Sequence, residues 1–119
     1  DHDTILQYYS DNSVDLFINA SDHEGIPVSI MEAMAYGIPC IARNVGGNSE
    51  IVNSNNGFLL RDDASASEFQ DAIERYYRLP SEEKLKKRDE ALYFIKNQYD
   101  KKVVYSEFAK ELISRYSNM

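Results

Sequence analysis

An ordered succession between Val14 and Ala42 limits how this chain can fold more than any other feature. An apolar run, Val14 to Ala20, leads into a polar loop, Ser21 to Pro27. A second apolar segment, Val28 to Tyr36, stops at Gly37-Ile38-Pro39, and a third apolar run, Ile38 to Ala42, follows at once. The first and third runs are too short for helices and nearly unbroken, as expected of parallel strands covered on both faces. The middle segment places Ile30, Met31, Ala33, Met34 and Ala35 around most of a helical circumference, which predicts a largely buried helix over 28–36. Pro27 suits its first turn, because the missing N–H would be unpaired there anyway. Gly37 fits the left-handed position that ends helices, and Pro39 blocks a restart. Strand, loop, helix, strand is a βαβ unit, so the fold class is α/β with a Rossmann-like parallel sheet. In open α/β sheets ligands bind outside the carboxyl ends of the strands, which directs attention to the loop Ser21 to Pro27.

The flanking segments extend this unit. Asp3 can cap a helix with Ile5, Leu6 and Tyr9 inward, closed by Asp11-Asn12-Ser13. Asn48 or Ser49 can cap a short helix carrying Glu50, Ile51 and Val52; Asn53 to Gly57 reads as a turn and Gly57 to Leu60 as a third strand. After Asp62 the strands cease and three helices are expected. The first opens at the capping-box pattern Ser65-Ala66-Ser67-Glu68, with Phe69, Ile73 and Tyr76 inward. The second opens at Pro80-Ser81-Glu82-Glu83, with Leu85, Leu92, Ile95 and Tyr99 inward. The third opens at Asp100, with Val104, Phe108, Leu112 and Tyr116 inward. Three strands make a small sheet, and the chain does not begin with Met. Both observations point to a piece of a longer protein whose further strands lie upstream of Asp1. The division is therefore 1–60, a βαβ core, and 61–119, a helical part.

Charge and cysteine content narrow the function. A formal net charge of −7 repels a phosphate backbone, so nucleic acid is not expected as a partner. No apolar run approaches the ~20 residues of a membrane span, and the N-terminus has no signal-peptide pattern. The lone Cys40 cannot form a disulfide within the chain and reads as core. That suits a reducing compartment, and the expected location is cytoplasmic, with the parent peripheral at the inner membrane face.

Two carboxylates stand out. Glu32 is the only charge in an apolar helix, and a buried carboxylate needs a partner or water. It could accept hydrogen bonds from two vicinal hydroxyls, as in ribose recognition by dinucleotide folds; a solvated Glu on the outer face, or one paired with a structural Arg, fits the sequence equally well. Glu24 precedes Gly25, where the backbone can approach a ligand, but Glu-Gly turns are also ordinary loop chemistry. His23 reads as solvated, with ligand contact the alternative. Gly46-Gly47 is either an anion-binding nest or a tight turn, Glu50 a structural acceptor beside it, and most tyrosines packing residues.

The pair is more informative than either member. Glu24-Gly25-Ile26-Pro27-Val28-Ser29-Ile30-Met31-Glu32 is a Glu-x7-Glu pattern. It continues into Ala33-Met34-Ala35-Tyr36-Gly37-Ile38-Pro39 and on to Gly46-Gly47-x-x-Glu50-Ile51-Val52. This run resembles the donor-binding half of retaining glycosyltransferases of family 4, also called group 1, which have the GT-B fold. The resemblance is dense from Val14 to Leu60. It implies a partial GT-B C-terminal domain followed by three C-terminal helices. The parent would be a hexosyltransferase of polysaccharide biosynthesis, moving a sugar from a nucleoside diphosphate sugar to a hydroxyl acceptor with retention. By the same resemblance Glu24 is catalytic and lies beside the donor sugar, and Glu32 binds ribose. Gly25, Ile26, Pro27, Val28 and Ser29 form the turn that meets the sugar and diphosphate. No metal or other cofactor is expected. The Arg and Lys that grip the diphosphate in the family would lie upstream, and the N-terminal acceptor domain is the missing partner. The chain alone is then expected to be inactive and prone to self-association. A GT-B epimerase or phosphorylase, and a non-catalytic flavodoxin-like interaction domain, remain as alternatives.

Overall fold

The computed structural model describes Thr4, Gln7 and residues 14–21 and 27–101, the last four of these by backbone alone. Strand β1 (Phe17–Asn19), β2 (Cys40–Arg43) and β3 (Gly57–Leu60) form one parallel sheet in the order β1-β2-β3. Register pairs Phe17 with Cys40 and Ile18 with Ile41, then Ile41 with Phe58 and Ala42 with Leu59. Helix α1 (Val28–Met34) joins β1 to β2, a 3₁₀ turn (Asn48–Glu50) lies between β2 and β3, and α2 (Ala66–Arg78) and α3 (Ser81–Lys101) follow.

Alternation along β2 sorts the core into two layers. Cys40 and Ala42 face α1 and α3, where Ile30, Ala33, Met34, Ala91 and Ile95 pack. Ile41 faces the other way, onto Phe69 and Ala72 of α2. The central strand β2 is thus covered on both faces, which is why it reads as a continuous apolar run rather than an alternating one, while Ile18 on the edge strand β1 is 44 % exposed.

The expected helix stop is present: Gly37 has φ +71°, and the N–H groups of Gly37 and Ile38 close on the Met34 and Ala33 carbonyls at 2.9 and 3.1 Å. Ser65 caps α2, its hydroxyl accepting from the Glu68 N–H at 3.3 Å. The reciprocal half of the capping box is replaced, because the Glu68 carboxylate pairs with Arg61 at 2.5 Å. The turn before β3 is built by Asn53, whose side-chain oxygen accepts from the N–H groups of Asn55 and Asn56.

Several expectations are corrected. Strands and α1 are shorter than the apolar runs: α1 gives way to a turn at 35–37, and Val14–Leu16, Ala20, Ile38 and Pro39 lie outside the ladder residues. Asn48 does not cap: Gly47 is the residue before the 3₁₀ turn, and Asn48 Nδ2 donates to the Arg43 carbonyl at 2.9 Å. Glu50 is exposed, and no hydrogen bond to its carboxylate comes from the described residues. Asp100 does not open a helix, because α3 runs through it to Lys101. Leu85 is 59 % exposed, and Ala91 turns inward in its place; Ile95 is buried as expected, with Leu92 against Gly37. The expected inner faces of residues 5–9 and 104–116, and the side chain of Tyr99, lie outside the described residues. Among the other tyrosines Tyr76 is buried, while Tyr77 and Tyr93 are exposed.

Candidate functional site

The carboxyl ends of β1, β2 and β3 are Asn19, Arg43 and Leu60, and three loops leave the sheet there. Asn19 is buried and its side-chain oxygen accepts from the Ser21 N–H at 3.0 Å, which turns the chain out of β1. Of the residues expected to meet a ligand, Glu24, Gly25 and Ile26 lie outside the described residues, as does His23. Pro27 is buried, and Val28 and Ser29 are half-buried at the start of α1. The first bond of that helix runs from the Met31 N–H to the Pro27 carbonyl at 3.1 Å. The N–H groups before Met31 therefore have no partner within the helix ladder.

Glu32 lies one turn into α1 and is only 7 % exposed. This excludes the solvated outer-face reading. Its neighbours on the helix, Ile30, Ala33 and Met34, are buried in the core beneath the sheet's α1 face.

The loop after β2 is a tight turn. Gly46 has φ +52°, the Val45 N–H closes on the Arg43 carbonyl at 2.9 Å and the Asn48 N–H on the Val45 carbonyl at 3.1 Å. Cys40 is 1 % exposed, its thiol directed at the Ile38 carbonyl at 3.7 Å, and burial pushes its pKa far above the usual thiol range.

One residue the sequence reading passed over dominates this edge. Arg43 donates from Nε and Nη2 to the Ala64 carbonyl, at 3.1 and 2.8 Å, and from Nη1 to the Ala20 carbonyl. Its guanidinium lies 5.1 Å from the centre of the Phe69 ring. The available signal was a lone Arg at the end of an apolar strand. Among the described residues no group of three His, Cys, Asp or Glu side chains could hold a metal, and no helix is long and apolar enough to cross a membrane.

Sheet order and helices on both faces define an α/β domain with a parallel, Rossmann-like sheet. The family model for "Glycosyl transferases group 1" matches residues 1–99, and the chain belongs to that family. Over 47 residues it is 45 % identical to the Escherichia coli UDP-Gal:alpha-D-GlcNAc-diphosphoundecaprenol alpha-1,3-galactosyltransferase, a match covering 39 % of this chain and 12 % of that protein. Among solved structures, the sucrose-phosphate synthase of Thermosynechococcus elongatus superposes with a TM-score of 0.66 at 21 % identity, over 99 % of this chain and 28 % of that one. The chain thus spans a minor part of the length of the relatives it matches.

Proposed function

We propose that this chain is the nucleotide-sugar-binding part of the C-terminal domain of a retaining, family 4 hexosyltransferase in cytoplasmic polysaccharide synthesis. The burial of Glu32 one turn into the helix after β1, in a chain of this family, carries the reading. Glu32 accepts hydrogen bonds from the two ribose hydroxyls of the donor. Glu24 meets the donor sugar, and the backbone of the 25–29 turn meets the sugar and diphosphate. In the reaction the bond from the anomeric carbon to the diphosphate oxygen breaks, and a bond to the acceptor hydroxyl oxygen forms on the same face. The leaving diphosphate is stabilised without a metal, by amide groups and by basic residues outside this chain. The name of the Escherichia coli relative specifies a UDP-sugar, which makes UDP-hexoses the first donors to test.

A cleft enzyme needs both walls, so the acceptor wall is contributed by a further domain. The 119-residue chain alone then neither transfers sugar nor stays strictly monomeric, because its sheet edges offer unpaired backbone groups to other chains. Calorimetric titration of the intact protein with UDP, GDP and ADP tests the donor reading. Saturable binding of one of them supports it, and no binding of any of the three overturns it.

A further inference from the structure

We propose that Asn56-Gly57 is a self-modification site gated by folding. It is locked while the turn before β3 is docked, and it converts to isoaspartate or aspartate when that turn opens, after which β3 cannot re-pair with β2. Asn56-Gly57 is the only Asn-Gly pair in the sequence. In such a pair the deprotonated Gly nitrogen can attack the Asn side-chain carbonyl carbon, because glycine has no Cβ to hinder the approach. A bond forms between the Gly57 nitrogen and Asn56 Cγ, the bond from Cγ to Nδ2 breaks, and ammonia leaves with the proton that Gly57 lost. A five-membered cyclic imide remains. Water then opens it: attack at Cγ yields aspartate, and attack at the backbone carbonyl yields isoaspartate, whose main chain runs through Cβ and Cγ. Nothing is oxidised or reduced.

The folded structure engages every group this reaction needs. The Gly57 N–H donates to the Asn53 carbonyl at 2.9 Å. The Asn56 side-chain oxygen accepts from the Asn53 N–H, and Nδ2 donates to the Ile51 carbonyl, both at 2.9 Å. Asn56 is 2 % exposed, which keeps water from it. The Asn53 side-chain oxygen fixes the N–H groups of Asn55 and Asn56, and Lys87 Nζ reaches across from α3 to the Ser54 and Gly57 carbonyls. The imide therefore forms only from an opened turn.

The same contacts require both residues and make the conversion one-way. Gly57 is the register partner of Cys40, and a Cβ on it would lie 2.3 Å from the Cys40 carbonyl oxygen. Isoaspartate inserts one more main-chain carbon directly ahead of that pair, where the ladder has no room for it. Aspartate at position 56 leaves the Ile51 carbonyl without its donor, because an ionised carboxylate only accepts, and it places a charge where the side chain is covered.

The test incubates the intact protein in mildly alkaline buffer, folded and in denaturant, and follows position 56 by peptide mapping and mass spectrometry. In denaturant, position 56 converts faster than Asn53-Ser54 in the same turn. In the folded protein its conversion is slower by about tenfold or more. Asn53→Ala keeps the Asn-Gly pair but removes two bonds of the turn, so it should raise the folded rate about tenfold or more and leave the denatured rate unchanged. Chains carrying isoaspartate, separated by ion exchange and returned to native buffer, should not regain hydrogen-exchange protection of the β2–β3 ladder, whereas unmodified chains treated alike should. Equal rates in folded and denatured wild type overturn the proposal, and this comparison stands even where Asn53→Ala fails to fold. A folded Asn53→Ala protein that converts no faster than wild type also overturns it, as does full recovery of ladder protection by the isoaspartate chains.

Discussion

Gly57 stands so close to Cys40 that a Cβ on it would lie 2.3 Å from the Cys40 carbonyl oxygen and 3.1 Å from the Cys40 nitrogen. The two are register partners in the β2–β3 ladder, so the obstructing atoms are backbone and cannot swing aside. Gly57→Ala must either force the strands apart or break the register. Overpacking at such a site costs about 1–3 kcal/mol or more. Chemical denaturation should show a lower midpoint for Gly57→Ala, with the neighbouring Asn55→Ala, at an exposed position, close to wild type.

The two glutamates should separate kinetically in the intact protein. In the proposed role Glu32 holds ribose alike in the ground and transition states, so Glu32→Ala should mainly raise the donor KM and weaken free nucleoside diphosphate. A charge-assisted pair of hydrogen bonds is worth about 1.5–3 kcal/mol, or roughly ten- to a hundredfold. Glu24→Ala should mainly lower kcat and leave nucleoside diphosphate binding nearly intact, as that ligand lacks the donor hexose that Glu24 is proposed to meet. Calorimetry beside steady-state kinetics checks this; equal loss of nucleotide affinity in both variants would contradict the division of roles.

Cys40 should be silent toward thiol reagents in the folded protein. It is buried in the core, and burial holds its thiol protonated well above the usual range, so both access and thiolate are lacking. Labelling near pH 8 is expected to be at least about a hundredfold slower than in denaturant, since an opening free energy of only about 3 kcal/mol gives that factor. Fast labelling without denaturant would show that the α1 layer opens readily.

Lys87 on α3 gives a pH signature. Its ammonium donates to the carbonyls of Ser54 and Gly57, at 2.5 and 3.3 Å, and lies 4.7 Å from the Phe58 ring centre. Burial lowers its pKa below the ordinary 10.5; Glu83 opposes the shift and Arg75 adds to it. Between the folded value and 10.5 the unfolded chain therefore binds more protons than the folded one, and stability from this group rises with pH across that window. Denaturation of wild type and Lys87→Met from pH 7 to 10.5 should show their difference moving in favour of wild type as pH rises. A flat difference would mean that the two carbonyl contacts offset the burial.

What the sequence determined by itself is the part written in local chemistry. The period of apolar residues announces the βαβ unit. Gly37 marks the end of α1 because its left-handed backbone suits glycine, and Ser65 marks the start of α2 because its hydroxyl can take the Glu68 N–H. Cys40 falls in the core because its strand is covered on both faces. What only the tertiary structure decided depends on which segments come to lie side by side. Arg43 meets Ala64 and Ala20 across 21 and 23 residues of chain, and those meetings exist only once three strands are in register. Asn48 looks like a cap by type, yet turns to the Arg43 carbonyl because the tight turn brings that acceptor within 2.9 Å. Leu85 fits an inward stripe by spacing and is left exposed, because α3 packs against α1 and the core through Ala91 and Ile95. The burial of Glu32 belongs to the same class: a carboxylate in an apolar helix can be solvated or covered, and only the tertiary structure leaves it 7 % exposed.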